Sequence, residues 1–227
     1  MVLAVMFQSW CDITFVHWRF PADAIRAHVP RPLEVDTFDG SAWIGITPFV
    51  LRDLRPALLP AIPWISTFPE TNCRTYVKAP DGSSGVWFFS LDAARAAAVA
   101  GARLAYGLPY GWSRMRVVSE GRRIRYESRR VWPDSRAATA IAVTHAGAIE
   151  PRDLEIFLTA RFRLYSLVLG RLTYTDVEHA PWPLRSAEVH LAYQTLTAAA
   201  GLPEPTGAPV VHFSPGVRVR VGRPKAL

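Results

Sequence analysis

From Ser9 to Phe20 apolar and polar side chains alternate loosely, and the stretch is rich in β-branched and aromatic types. A period of two predicts a strand with one buried face. Pro21 leads a short helical stretch through His28, which Pro30 and Pro32 stop. Alternation resumes from Leu33 to Leu54 around Asp39-Gly40, a dipeptide suited to a hairpin turn. Residues 72–79 and 85–93 predict a second hairpin across the Pro80–Gly85 turn. Residues 114–132 predict a third, turning at Glu120-Gly121, with arginines alternating with apolar residues as in a half-exposed antiparallel pair.

Shorter signals fill the rest. Ala93–Ala105 is small and apolar, interrupted only by Arg95 and Arg103, and reads as a packed helix or strand. Pro151 opens a helix through Leu158, residues 161–184 return to strand, and 186–202 predicts a helix with Glu188 in its first turn and Gly201 as its stop. A strand closes the chain over 212–222. Three hairpins and a few short helices, with no βαβ rhythm, repeat or linker, predict an α+β fold. It is a mainly antiparallel sheet or barrel with helices at its edges, forming a single domain over 1–227.

Two stretches depart from these patterns. Prolines 56, 60, 63 and 69, interleaved with Leu, Ile and Trp64, exclude regular helix and central strand. They leave an apolar loop, either a rim over a cavity or a surface loop pinned to its own core. Arg103, Tyr106, Gly107, Pro109 and Tyr110 combine a φ-permissive glycine, a fixed proline and two phenols, which suits the end of an element facing a cavity.

Composition narrows the function classes. The net charge is +7, carried almost wholly by arginine since only Lys78 and Lys225 are lysines, and it is scattered along the chain. No nucleic-acid partner is expected from such a distribution. No 18-residue apolar run or basic leader is present, so no membrane partner is expected either. Cys11 and Cys73 suit reduced thiols in a cytoplasmic protein. The chain has no GxGxxG, P-loop, HExxH or CxxC, and its six histidines are isolated, so neither a cofactor nor a metal is expected.

The chemistry concentrates in Phe68–Val77. A strand there sets Asn72, Arg74 and Tyr76 on one face, with Glu70 just before them. Inside a barrel such a cluster is costly unless each member is paired, so it is either a functional site or a structural network. His17 is a further candidate base, or a core histidine bonded to backbone.

Taken together, HVPRPLEVD, FPETNCRTYV, GVWFFSLDA and ARLAYGLPY resemble the DUF2071, or YqjF-like, family over nearly the whole chain. The resemblance implies an acetoacetate decarboxylase-like barrel or cone with an internal, largely apolar pocket, and a homo-oligomer. In the decarboxylases a nucleophilic lysine follows a proline, seven positions after an arginine. Here the arginine is Arg103 and the proline Pro109, but Tyr110 stands in the lysine's place. The family's pocket arginine falls near Cys11 and one pocket glutamate near Trp43, while a second glutamate matches Glu70.

A phenol forms no Schiff base. The resemblance, less its lysine, therefore implies a small-molecule pocket for an apolar or keto/carboxylate compound. Glu70, Tyr110 and His17 would serve in acid/base lyase, isomerase or cyclase chemistry, with Arg74, Asn72, Tyr76, Arg103 and Trp43 on the ligand. The alternative is a non-catalytic binding protein, which the aromatic content also suits.

Overall fold

The computed structural model describes residues 3–227. In chain order its elements are β1 (Met6–Phe20), α1 (Ala22–Arg26), β2 (Glu34–Val35), β3 (Ala42–Pro56), β4 (Phe68–Lys78), β5 (Ser84–Ala93), α2 (Ala96–Tyr106), β6 (Tyr110–Glu120) and β7 (Arg123–Trp132). These are followed by β8 (Ala138–Ala148), α3 (Asp153–Thr159), β9 (Arg163–Val168), β10 (Arg171–His179), β11 (Arg185–Gln194), α4 (Leu196–Ala199), β12 (Val210–Val221) and β13 (Lys225–Ala226).

One sheet holds all thirteen strands, and it closes twice because β5 and β12 each have three neighbours. Val86 and Trp87 at the start of β5 pair with β9, whereas Leu91–Ala93 at its end pair with β6. Likewise the start of β12 pairs with β11 and its end with β10. Through β9 and β10 the sheet closes as a ring of seven strands, and through β6, β7, β8 and β11 as a ring of nine. Among the described residues only the β5–β6 and β5–β9 pairs are parallel. The fold is thus the mainly antiparallel barrel with short helices that the hairpins predict.

Both rings share the wall β12-β1-β3-β4-β5. Each face of that wall is covered, and β4 is accordingly buried at every residue from Glu70 to Val77. One face is a packed core in which Ile44, Ile46, Cys73 and Val77 meet Ile124 and Ile141. The other face surrounds a cavity of about 320 Å³.

Local irregularities aim side chains into that cavity. The β1–β3 register shifts near Asp12 (φ +49°) and near Asp53 (φ +56°), left-handed conformations that aspartate tolerates better than most residues. Each shift reverses the alternation, so Trp10 and Ile13 both face the cavity, as do Leu51 and Leu54. A shift in β5 opposite Cys73–Arg74 does the same for Phe88 and Leu91. Helix α2 covers the cavity with Ala98, Gly101, Ala102 and Ala105, spaced i, i+3, i+4, i+7, and these small side chains leave room beneath the helix. It ends at Gly107 (φ +61°), where a Cβ would lie 2.1 Å from the Leu167 carbonyl oxygen. The chain then turns into β6 at Tyr110.

Two expectations need revision, and a third is resolved between its alternatives. Residues 186–202 are not a helix: β11 runs through Gln194 and only Leu196–Ala199 is helical. Pairing with β8 overrides the helix-favouring Ala, Glu and Leu, and a bulge between Val189 and Leu191 blurs the period of two. At Asp39-Gly40 a single bridge, Phe38–Ser41, forms, and β2 pairs with β4 instead of β3. In the proline-rich stretch Pro56 and Phe68 line the cavity, but the turn between them points outward, with Leu58 and Trp64 exposed. Arg95 fastens this turn, its Nε donating to the Trp64 carbonyl at 2.6 Å. Among the described residues no helix is long and apolar enough to cross a membrane.

Candidate active site

Strand β4 puts Glu70, Asn72 and Arg74 in a row on the cavity wall, each two residues from the next. The lining around them is mostly apolar, including Phe49, Leu51, Phe88 and Leu91. No lysine contributes to it. Lys78 pairs with Asp36 at 3.1 Å and Lys225 with Asp176 at 2.9 Å, both half-exposed and outside the cavity.

Glu70 and Tyr110 form the first unit. The Tyr110 hydroxyl lies 3.0 and 3.2 Å from the two Glu70 oxygens. Burial raises the Glu70 pKa to about 8, with Asp92 adding to the rise and the Tyr110 hydrogen bond opposing it. The carboxyl is therefore mainly protonated at neutral pH. Burial also raises Tyr110 well above the ordinary phenol range, and the Glu70 charge adds to this. The phenol remains a donor.

Arg74 is the second unit. It is 8% exposed, yet it forms no ion pair with any described residue. Nη2 makes one long hydrogen bond to the Leu158 carbonyl at 3.5 Å, Nε has no partner, and the guanidinium carbon lies 5.7 Å from the Phe15 ring and 5.9 Å from the Tyr76 ring. A buried cation without a counter-charge is expensive. Asn72, between the two units, likewise has an unpartnered buried Oδ1.

Tyr76 and His17 lie beneath Arg74 and do not line the cavity. The Tyr76 hydroxyl donates to the Leu158 carbonyl at 2.7 Å, so the 2.6 Å contact with His17 requires His17 Nε2–H to donate to the phenol oxygen. That fixes the tautomer and leaves Nδ1 as a bare acceptor. Burial holds the His17 pKa well below the ordinary value, reinforced by Arg74 and His212. Gly45 makes the contact possible, since a Cβ there would come within 2.7 Å of His17 Nε2. His17 is part of the floor.

Trp43 and Arg103 lie elsewhere. Trp43 is buried outside the lining, with Arg19 over its ring at 4.9 Å. Arg103 lies on the outer side of α2, its guanidinium 4.8 Å from the Trp132 ring. Its Nη1 donates to the Tyr110 carbonyl at 2.8 Å. It can position Tyr110 but not reach a ligand.

Sequence reasoning missed Arg161, Arg163, His179 and Trp182 as lining residues. Both arginines are ion-paired, Arg161 with Asp36 at 2.8 Å and Arg163 with Asp176 at 3.0 Å. His179 Nδ1 donates to the Ala180 carbonyl at 2.7 Å, and its ring packs against Trp10, Phe162 and Trp182. The dense His-Ala-Pro-Trp-Pro motif was the available signal for His179 and Trp182. Nothing in the spacing of Arg161 and Arg163 marks them. Among the described residues no group of His, Cys, Asp and Glu is placed to hold a metal ion.

Comparison with known proteins agrees with this architecture. The model of DUF2071, described as an uncharacterized conserved protein, matches residues 7–218. The chain belongs to the DUF2071 family. It is 41% identical to the uncharacterized protein YqjF of Bacillus subtilis (strain 168) over 213 residues, covering 92% of this chain and 87% of that one. Among solved structures, the acetoacetate decarboxylase of Legionella pneumophila superposes with a TM-score of 0.67 at 14% identity, covering 99% of this chain and 88% of the other. The enduracididine biosynthesis enzyme MppR, complexed with the condensation product of pyruvate and imidazole 4-carboxaldehyde, gives 0.70 at 14% identity, covering 100% and 90%. An acetoacetate decarboxylase-like enzyme from Sphingomonas wittichii RW1 gives 0.69 at 14% identity, covering 100% and 94%. At these identities the shared property is the fold.

Proposed function

We propose that this chain is an enzyme acting on a small, largely apolar compound that carries a carboxylate and a carbonyl, by acid/base chemistry without a Schiff-base lysine. The observation that carries the reading is Arg74, a buried and unpaired guanidinium on the same cavity wall as a protonated carboxyl. A ligand carboxylate supplies the missing counter-charge, and two of the idle N–H groups bond it. The carbonyl then lies against Glu70 and Tyr110. Glu70 donates its proton to the carbonyl oxygen, and the carboxylate so formed, stabilised by the Tyr110 hydroxyl, removes a proton from the adjacent carbon. An O–H bond forms, a C–H bond breaks, and the enol results with Glu70 protonated again. A pKa near working pH suits a group that must both give and take a proton. MppR, a fold neighbour, is complexed with pyruvate in another solved structure, which supports a keto-carboxylate as the ligand class.

Turnover of a panel of keto acids, followed by exchange of solvent deuterium into the ligand, tests this with Glu70→Gln, Arg74→Met and Tyr110→Phe. Glu70→Gln is expected to abolish exchange while binding persists, and Arg74→Met to weaken binding. Binding without exchange in the unaltered protein would make it a binding protein instead. Indifference of both binding and exchange to all three substitutions would remove these residues from the site.

A further inference from the structure

The two units of the cavity wall are far apart. Glu70 and Arg74 are four residues apart on one strand, which separates their Cα atoms by about 13 Å, and adjacent members of the row by roughly 7 Å. Tyr110 is paired with Leu91, which is paired with Asn72, so the Tyr110 end of the acid unit lies at or above the Asn72 level. The Arg74 guanidinium lies between the Phe15 and Tyr76 rings, 5.7 and 5.9 Å away, and reaches the Leu158 carbonyl, the same oxygen that the floor residue Tyr76 bonds. The Arg74 charge bears on His17 and Tyr76 and also on His179, whereas Asp92 is the charge that bears on Glu70. Apolar side chains from β3 and β5, Phe49, Phe88 and Leu91 among them, line the cavity around the row.

We infer that the ligand is an oxo acid whose carboxylate and carbonyl are separated by an apolar spacer of several carbons, bridging the roughly 7–13 Å between Arg74 and the Glu70–Tyr110 pair. This rests on the proposed function, for which it supplies the substrate class. An α- or β-keto acid, with at most one carbon between the two groups, reaches Arg74 or Glu70 but not both. The spacer lies against the apolar wall, where each buried methylene adds about 0.8 kcal/mol of favourable transfer.

Positional isomers of equal length separate spacing from mere hydrophobicity. Calorimetric titration with 7-oxooctanoate, 3-oxooctanoate, octanoate and pyruvate is expected to show 7-oxooctanoate binding at least tenfold more tightly than its 3-oxo isomer. Tyr110→Phe is expected to weaken only the 7-oxo acid, and Arg74→Met to weaken all three eight-carbon acids. Equal affinity for the two isomers, or tighter binding of pyruvate, overturns the spacer while leaving a carboxylate cavity intact. Failure of every acid to bind overturns both.

Discussion

Two buried arginines lie on opposite sides of the same wall, and only one is neutralised. Arg130 on β7, in the packed half of the molecule, places Nε 2.6 Å from Asp92 Oδ1, with both side chains almost wholly buried. Gly111 leaves space for the pair, since a Cβ there would come within 2.8 Å of each partner. Arg74 is as deeply buried, on the cavity side, and has no carboxylate. The other guanidiniums of the core and the cavity lining are supplied with a carboxylate by the fold, as Arg130, Arg161 and Arg163 all are. Where the chain leaves the counter-charge out, a ligand is the natural source of it.

Substitutions break this comparison in order of size. Asp92→Ala strands Arg130 in the core and is expected to cost about 3–5 kcal/mol of stability, read as a fall in the denaturant midpoint. Arg74→Met removes a cation that already lacks a partner. It is expected to leave stability within about 1 kcal/mol or to raise it, and a loss as large as that of Asp92→Ala would place Arg74 among the structural arginines.

Glu70 gives the next effect through pH. Its folded pKa, about 8, lies above the ordinary carboxyl value of 4.5, so the folded state holds a proton that the unfolded chain releases. That contribution to stability is complete below pH 4.5 and is lost as pH rises through 8, a few kcal/mol at most. Urea titrations from pH 5 to 9 are expected to show this fall in the unaltered protein and a flatter profile in Glu70→Gln. Identical profiles would mean that Glu70 titrates normally. The smallest effect belongs to Tyr110→Phe, which leaves Glu70 without its hydroxyl donor. About 1 kcal/mol is lost from the ionised state, so the Glu70 pKa rises and the fall in the same profile continues to higher pH.

Much of the fold was legible in the chain, because hairpins at 72–93 and 114–132 carry both alternation and turn residues. The row Glu70, Asn72, Arg74 was legible for the same reason, as a period of two on one strand. Which way the row points was not legible. Both faces of β4 are buried, so Thr71, Cys73 and Thr75 on the core side give no contrast with it. The reversals of alternation at Asp12 and Asp53 also escape a strict period, since they depend on single residues with positive φ. Arg103 resembles a site residue by its spacing from Tyr110, yet the αL turn at Gly107 leaves it on the outer side of α2. His17 and Tyr76 were grouped with the row as site residues, but neither lines the cavity, and their mutual hydrogen bond makes them its floor.

The most direct measurement compares a carboxylate with its uncharged counterpart. Thermal melts of the unaltered protein and of Arg74→Met would be recorded with octanoate and with octan-1-ol at equal concentration. If Arg74 awaits an anion, octanoate raises the melting temperature of the unaltered protein more than the alcohol does, and Arg74→Met abolishes that difference. A preference for octanoate that survives Arg74→Met, or no preference in the unaltered protein, would contradict the role assigned to this arginine.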